Sequence, residues 1–132
     1  MPMEEALRAR FLALPALSGA KVSWFERPRR AAMPHVLLTA ISPGEDWEHD
    51  GPDELTQPRT QIDIWAAENA PVMTIARALL AELRRTTNLT VSGIRFEPPA
   101  IVYSDRKSMD PLDGGDDLFR RTIDFAQWVR PA

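Results

Sequence analysis

The chain has no cysteine, which removes disulfides, thiolate zinc ligands and thiol nucleophiles together. It has no positive excess either. Lys and Arg number 16 against 19 Asp and Glu, for a formal net charge of −3, so nothing in the overall balance recruits nucleic acid. No run approaches the ~18 consecutive apolar residues of a membrane span, and the N-terminal MPMEEALRAR lacks the apolar centre of a signal peptide. The expectation is a protein made in the cytoplasm, neither secreted nor inserted in a membrane. Histidine occurs twice, at His35 and His49. No His-Glu-x-x-His pair, Gly-x-Ser-x-Gly elbow or glycine-rich phosphate loop is present, so the spacings of metalloproteases, serine hydrolases and phosphate-binding loops are missing.

What is there suits one domain. At 132 residues, 44% hydrophobic and 27% charged, the chain is long enough to bury about two thirds of its surface. Met3, Leu7, Phe11 and Leu14 recur at helical spacing over Glu4 to Leu14, with Arg8 and Arg10 on other faces, and Pro15 ends that helix. Lys21 to Phe25 reads as a short strand, Glu26 to Pro34 as a proline-punctuated loop, and His35 to Ile41 as a strand covered on much of both faces. Pro43 to Pro58 is a polar loop. In Thr60 to Ala66, Ile62, Ile64 and Ala66 alternate with Gln61, Asp63 and Trp65, the pattern of a half-covered strand.

With Asn69 as N-cap and Pro71 in the first turn, Val72, Ile75, Ala76, Leu79, Leu80 and Leu83 make a broad apolar helical stripe. Thr90 to Phe96, with Gly93 as a possible bulge, and Ala100 to Ser104 read as two strands joined across Pro98-Pro99 into a hairpin. Asp105 to Asp116 reads as a second polar loop before a final strand, Leu118 to Arg130, whose inner face carries Phe119, Ile123, Phe125 and Val129. Residues 1–132 are therefore expected to form a single α+β domain, a mainly antiparallel β-sheet covered by two α-helices.

Candidate sites are few. Asp46 to Gly51 imitates the opening of a calcium-binding EF-hand loop, but the closing glutamate position is Gln57 and no helices flank it. No metal or cofactor is expected. Glu45, Asp46, Glu48, Asp50, Asp53 and Glu54 lie together without one Lys or Arg, so they repel one another unless solvated or met by a basic surface. Arg27, Arg29 and Arg30 make a small basic patch without interleaved aromatics, and a solvated loop explains it. Trp65 and Trp128 fall on strand faces opposite the apolar ones, as do Asp63 and Asp124. Either that second face is covered within the chain or it meets another subunit. Asp63 and Asp124 have no partner base in the sequence, so hydrogen-bonding or interface roles suit them better than catalysis. Trp47, Asp63, Trp65, Met109, Leu112 and Trp128 are the candidate interface residues.

An E-E-A-L-R-A-R helix, then V-S-W-F, P-H-V-L-L-T-A-I-S, a polar insertion, R-T-Q-I-D-I-W-A, an Ala/Leu/Arg helix and a terminal L-F-R-R-T-I-D-F-A-Q-W strand follow one another along nearly the whole chain. Together they resemble the short tail-completion, or tail-terminator, proteins of long-tailed bacteriophages and of phage-derived gene transfer agents. The most specific pieces are Arg59 to Ala66 and Arg120 to Trp128. The resemblance implies a non-enzymatic structural virion protein that caps the tail tube, ends its polymerisation and joins the tail to the head. It also implies a homo-oligomeric six-fold ring, contacts with the tail tube protein and a head connector or stopper protein, and a channel that DNA passes without specific binding. The implied location is the host cytoplasm during assembly, then the virion neck. The polar loops are this chain's own. A small α+β binding module or another head-tail connector component is the alternative, which genomic position between head-connector and tail genes would separate from the first.

Overall fold

A computed structural model describes residues 2–25, 34–42, 55–111 and 117–132. Helix α1 spans Pro2–Leu12 and gives way to a 3-10 turn at Pro15–Leu17, because proline cannot donate the hydrogen bond that would continue the helix. Four strands and a second helix follow as β1 (Lys21–Trp24), β2 (His35–Ser42), β3 (Arg59–Ala66), α2 (Asn69–Leu83) and β4 (Leu89–Val91). The chain closes with two long strands, β5 (Ile94–Pro111) and β6 (Asp117–Pro131). They form one six-stranded sheet in the order β1-β2-β3-β6-β5-β4. Every pair is antiparallel except β1 with β2, which is parallel.

Both helices bury apolar residues in one cluster with the same sheet face. Ala6, Leu7 and Phe11 of α1 and Val72, Ile75, Ala76, Leu79 and Leu83 of α2 join Val36, Leu38, Ile62, Ile64, Ile123, Phe125 and Val129. The rings of Phe11 and Phe125 meet edge to face at 6.3 Å, the arrangement their quadrupoles favour. Neither helix spans the whole sheet: α1 lies by β1, β4 and β5, and α2 by β3, β6 and β5.

Three expectations from the sequence are corrected. The hairpin turn lies at Ser92-Gly93, not at Pro98-Pro99. Ser92 and Gly93 have φ of 49° and 81°, the left-handed pair that a two-residue turn needs to match strand twist. The prolines instead sit inside β5, where the pairing register shifts between Glu97 and Ile101. Second, Asp105 to Pro111 is strand, not loop, because it pairs residue by residue with Asp117 to Ile123 of β6. A paired backbone satisfies its donors and acceptors whatever the polarity of its side chains. Third, Glu68 rather than Asn69 precedes α2 as its N-cap residue, and its side chain makes no capping hydrogen bond.

The two sheet edges differ. On β1, the Val22 carbonyl, which points away from β2, accepts a hydrogen bond from Arg8 Nε at 2.9 Å, and Trp24 Nε1 donates to the Glu4 carbonyl at 2.8 Å. On the other side, β4 pairs with Ile94, Arg95 and Phe96 alone. The rest of β5 forms the sheet border, and its residues from Ile101 to Tyr103 and from Asp105 to Met109 are exposed.

Candidate functional site

Side chains on the sheet face away from the helices form a polar lattice. Asp63 on β3 is buried and gathers three donors: Arg120 Nε at 3.0 Å, Thr122 Oγ1 at 2.6 Å and Gln61 Nε2 at 2.8 Å. Arg120 and Thr122 stand beside it because β6 pairs Thr122 with Asp63 and Arg120 with Trp65. The Arg120 guanidinium lies 5.0 Å from the Trp65 ring centroid, a cation-π contact that lets a charged side chain cover an indole. One register step along, Arg59 holds Asp124 through two hydrogen bonds of 2.9 and 2.6 Å and lies over the Tyr103 ring at 4.4 Å.

Asp63 and Trp65 are thus covered within the chain, at 2% and 6% exposure. Of the two alternatives left open for this face, the first describes these two residues. Trp128 keeps 36% of its surface and Met109 keeps 55%. Trp47, Leu112 and the six carboxylates from Glu45 to Glu54 lie outside the described residues, as do Arg27, Arg29, Arg30 and His49. Four exposed apolar side chains, Ile101, Val102, Tyr103 and Met109, belong to β5, and Phe25 and Ile41 are exposed elsewhere. The reading of Asp105 to Asp116 as a loop hid Met109, while Ile101, Val102 and Tyr103 fall in the segment from Ala100 to Ser104 that reads as strand.

A buried cation was not anticipated. Arg10, 2% exposed, points from α1 into the core, where Nε meets Glu82 Oε1 at 3.1 Å and one terminal nitrogen meets the Glu82 carbonyl at 3.1 Å. The other terminal nitrogen meets Gln127 Oε1 at 2.6 Å, and the guanidinium lies 4.8 Å from the Phe96 centroid. Burial lowers the Arg10 pKa below its ordinary value, against the opposing pull of Glu82. The group still carries its charge at neutral pH, as an arginine does. Arg10 therefore joins α1, α2, β5 and β6 through one side chain.

On the helix side of the sheet, Arg121 holds Asp105 by bonds of 2.7 and 2.6 Å. The hydrogen bond from Arg121 is the first cause that lowers the Asp105 pKa, outweighing desolvation, with Lys107 and Arg84 adding in the same direction. A depressed folded-state pKa means that the pair's stabilisation is complete above the unfolded carboxylate value of about 3.9 and is lost as pH falls through the folded value. Asp105→Asn should therefore cost stability at pH 7, within the ~0.2–1 kcal/mol of partly exposed pairs, and the cost should shrink as pH falls through the folded value. Urea titrations of both proteins across that range check it, and an equal difference at both ends refutes it.

Among the described residues no group of three or more His, Asp or Glu side chains is placed to hold a metal ion, and no helix is long and apolar enough to cross a membrane.

Residues 5–130 match the model of the family described as tail completion protein gp17. No curated protein sequence matches the chain. Among solved structures, a chain in the virion of a native gene transfer agent particle aligns with TM-score 0.56 at 19% identity, covering 96% of this chain and 96% of that one. Another solved chain aligns with TM-score 0.52 at 12% identity, covering 96% of this chain and 90% of that one. At those identities the likeness is one of fold.

Proposed function

Because the chain belongs to the tail completion protein gp17 family, we propose that it is a structural virion component that caps the head-proximal end of a phage-type tail tube. In that role it ends tube polymerisation and presents a docking surface to a head connector or stopper protein. Six copies form a ring around a channel through which DNA passes. The family match over residues 5–130 carries this reading. The shared fold with a chain of a gene transfer agent virion supports it. The role needs no catalysis, and its chemistry is that of contact surfaces.

Two physical features agree. The formal charge of −3 per chain gives a ring of six copies no net attraction for the phosphate backbone, which suits a channel that must release DNA. Four exposed apolar residues, Ile101, Val102, Tyr103 and Met109, lie along one border strand, β5, where a neighbouring protein can bury them. The acidic residues Glu45, Asp46, Glu48, Asp50, Asp53 and Glu54, with Trp47, Leu112 and Trp128, remain candidates for contact with the tube or the stopper.

Deletion of the gene in its producing particle tests the role. The expected result, read by electron microscopy, is over-long tubes and heads that lack tails, with wild-type length restored by complementation. Tails of normal length joined to heads in the deletion strain would overturn the assignment.

A further inference from the structure

Two surfaces on the helix side of the sheet, at opposite ends of one cross-strand row, have complementary chemistry, an exposed thioether near a lysine at one and an apolar groove beside a carboxylate at the other. The row runs Lys21, His35, Trp65, Arg120 and Ser108 across β1, β2, β3, β6 and β5. Four strand spacings of ~4.8 Å put its ends roughly 19 Å apart. Just beyond Ser108, at the β5 end, Met109 stands on the helix side opposite Phe119, two residues from Lys107 opposite Arg121. Met109 keeps 55% of its surface exposed. Just before Lys21, at the β1 end, a groove of about 420 Å³ opens between the 3-10 turn, the starts of β1 and β2, and the first turn of α2. Ala16, Gly19, Ala20, Pro34, Ala70 and Ile75 line it, and Glu68 stands in its wall. Small side chains make room there for an unbranched thioether chain, the side chain that adapts best to an irregular apolar gap. The Glu68 side chain does not cap α2, which leaves its carboxylate available to an incoming cation.

We infer that the β5 end of one subunit docks into the β1-end groove of the next copy of this chain, with Met109 in the apolar floor and Lys107 beside Glu68. The contact is heterologous, since the two patches differ and each subunit carries one of each. Repetition with a fixed rotation then adds copies side by side and closes a ring. Occupation of the groove by Met109 of the same chain is excluded by the separation of the two ends along the row. The inference rests on the ring reading above and supplies the lateral contact that the ring requires.

Two experiments test it, and the absence of native cysteine keeps the chemistry clean. An added Cβ at Gly19 meets nothing within 4 Å, and its backbone lies outside the left-handed region. Gly19→Trp therefore fills the groove with little effect on the free fold. The expected result is an unchanged melting temperature of the isolated protein and at least a tenfold loss of head-joined tails on complementation. In the second test, Met109→Cys and Ala20→Cys proteins are mixed on tail ends and oxidised mildly. A disulfide that forms between the two variants and not within either alone supports the contact, because a bridge needs Cα atoms within ~7 Å. Rings seen by electron microscopy that give no mixed disulfide, or that form undiminished with Gly19→Trp, overturn this contact and leave the ring intact. Capped tails with no ring at all overturn the ring reading, and this contact with it.

Discussion

Arg10→Ala should lower the unfolding free energy by about 3–5 kcal/mol, the range for breaking a buried ion pair from one side. The guanidinium meets Glu82 through its carboxylate and its backbone carbonyl, and Gln127 through its side-chain oxygen. Alanine strands all three acceptors, 13% exposure for the Glu82 side chain leaves little water to replace the lost donors, and a cavity opens beside Phe96. Arg85, 3.7 Å from the same Glu82 oxygen, tempers the loss. Arg10→Met combined with Glu82→Leu should recover much of it, because the uncompensated carboxylate leaves with its partner and the volume is refilled. Urea denaturation with an unchanged m-value reads both effects. A loss below ~1 kcal/mol for Arg10→Ala would mean that the core closes without this side chain.

Asp63→Ala should cost about 2–3 kcal/mol in the free protein, because a buried donor left without its acceptor loses the full desolvation term. Thr122, 5% exposed, suffers most. Arg120, 30% exposed, can turn toward water and give up its place over Trp65. Asp63→Asn should cost less, since one amide oxygen still accepts from Thr122. The measurement separates two roles for the residue. A carboxylate reserved for another subunit would leave the melting temperature of the isolated protein unchanged when removed, whereas the lattice around Asp63 predicts a drop.

The elements with one strong periodicity were legible in the sequence. Helix α2 was readable because Val72, Ile75, Ala76, Leu79 and Leu83 share a stripe that ends up buried, and β3 because Ile62 and Ile64 alternate with polar neighbours. Legibility failed where tertiary partners override local pattern. The segment from Asp105 to Pro111 has the composition of a loop, yet β6 supplies a complete ladder for it. Pro98-Pro99 looks like a turn, but the left-handed residues that a turn requires are Ser92 and Gly93. Arg10 stands three residues after Leu7, at the margin of the apolar stripe, yet nothing local shows how it is buried, since its acceptors are Glu82 and Gln127, 72 and 117 residues away. Trp65 was rightly placed opposite Ile62 and Ile64, while its covering by Arg120 depends on a register that no single strand encodes.

The unequal sheet borders bear on the protein's solubility before it finds its particle. Fibrils of the cross-β type grow because each added strand offers the next an identical bare edge. Here the Val22 carbonyl is already claimed by Arg8, so the β1 border of an incoming copy offers one acceptor fewer to a strand laid along β5. Repeated edge-to-edge addition is disfavoured at that border. A subunit that carries a border strand with Ile101, Val102 and Tyr103 exposed is in this way less prone to template its own precipitation while it waits in solution.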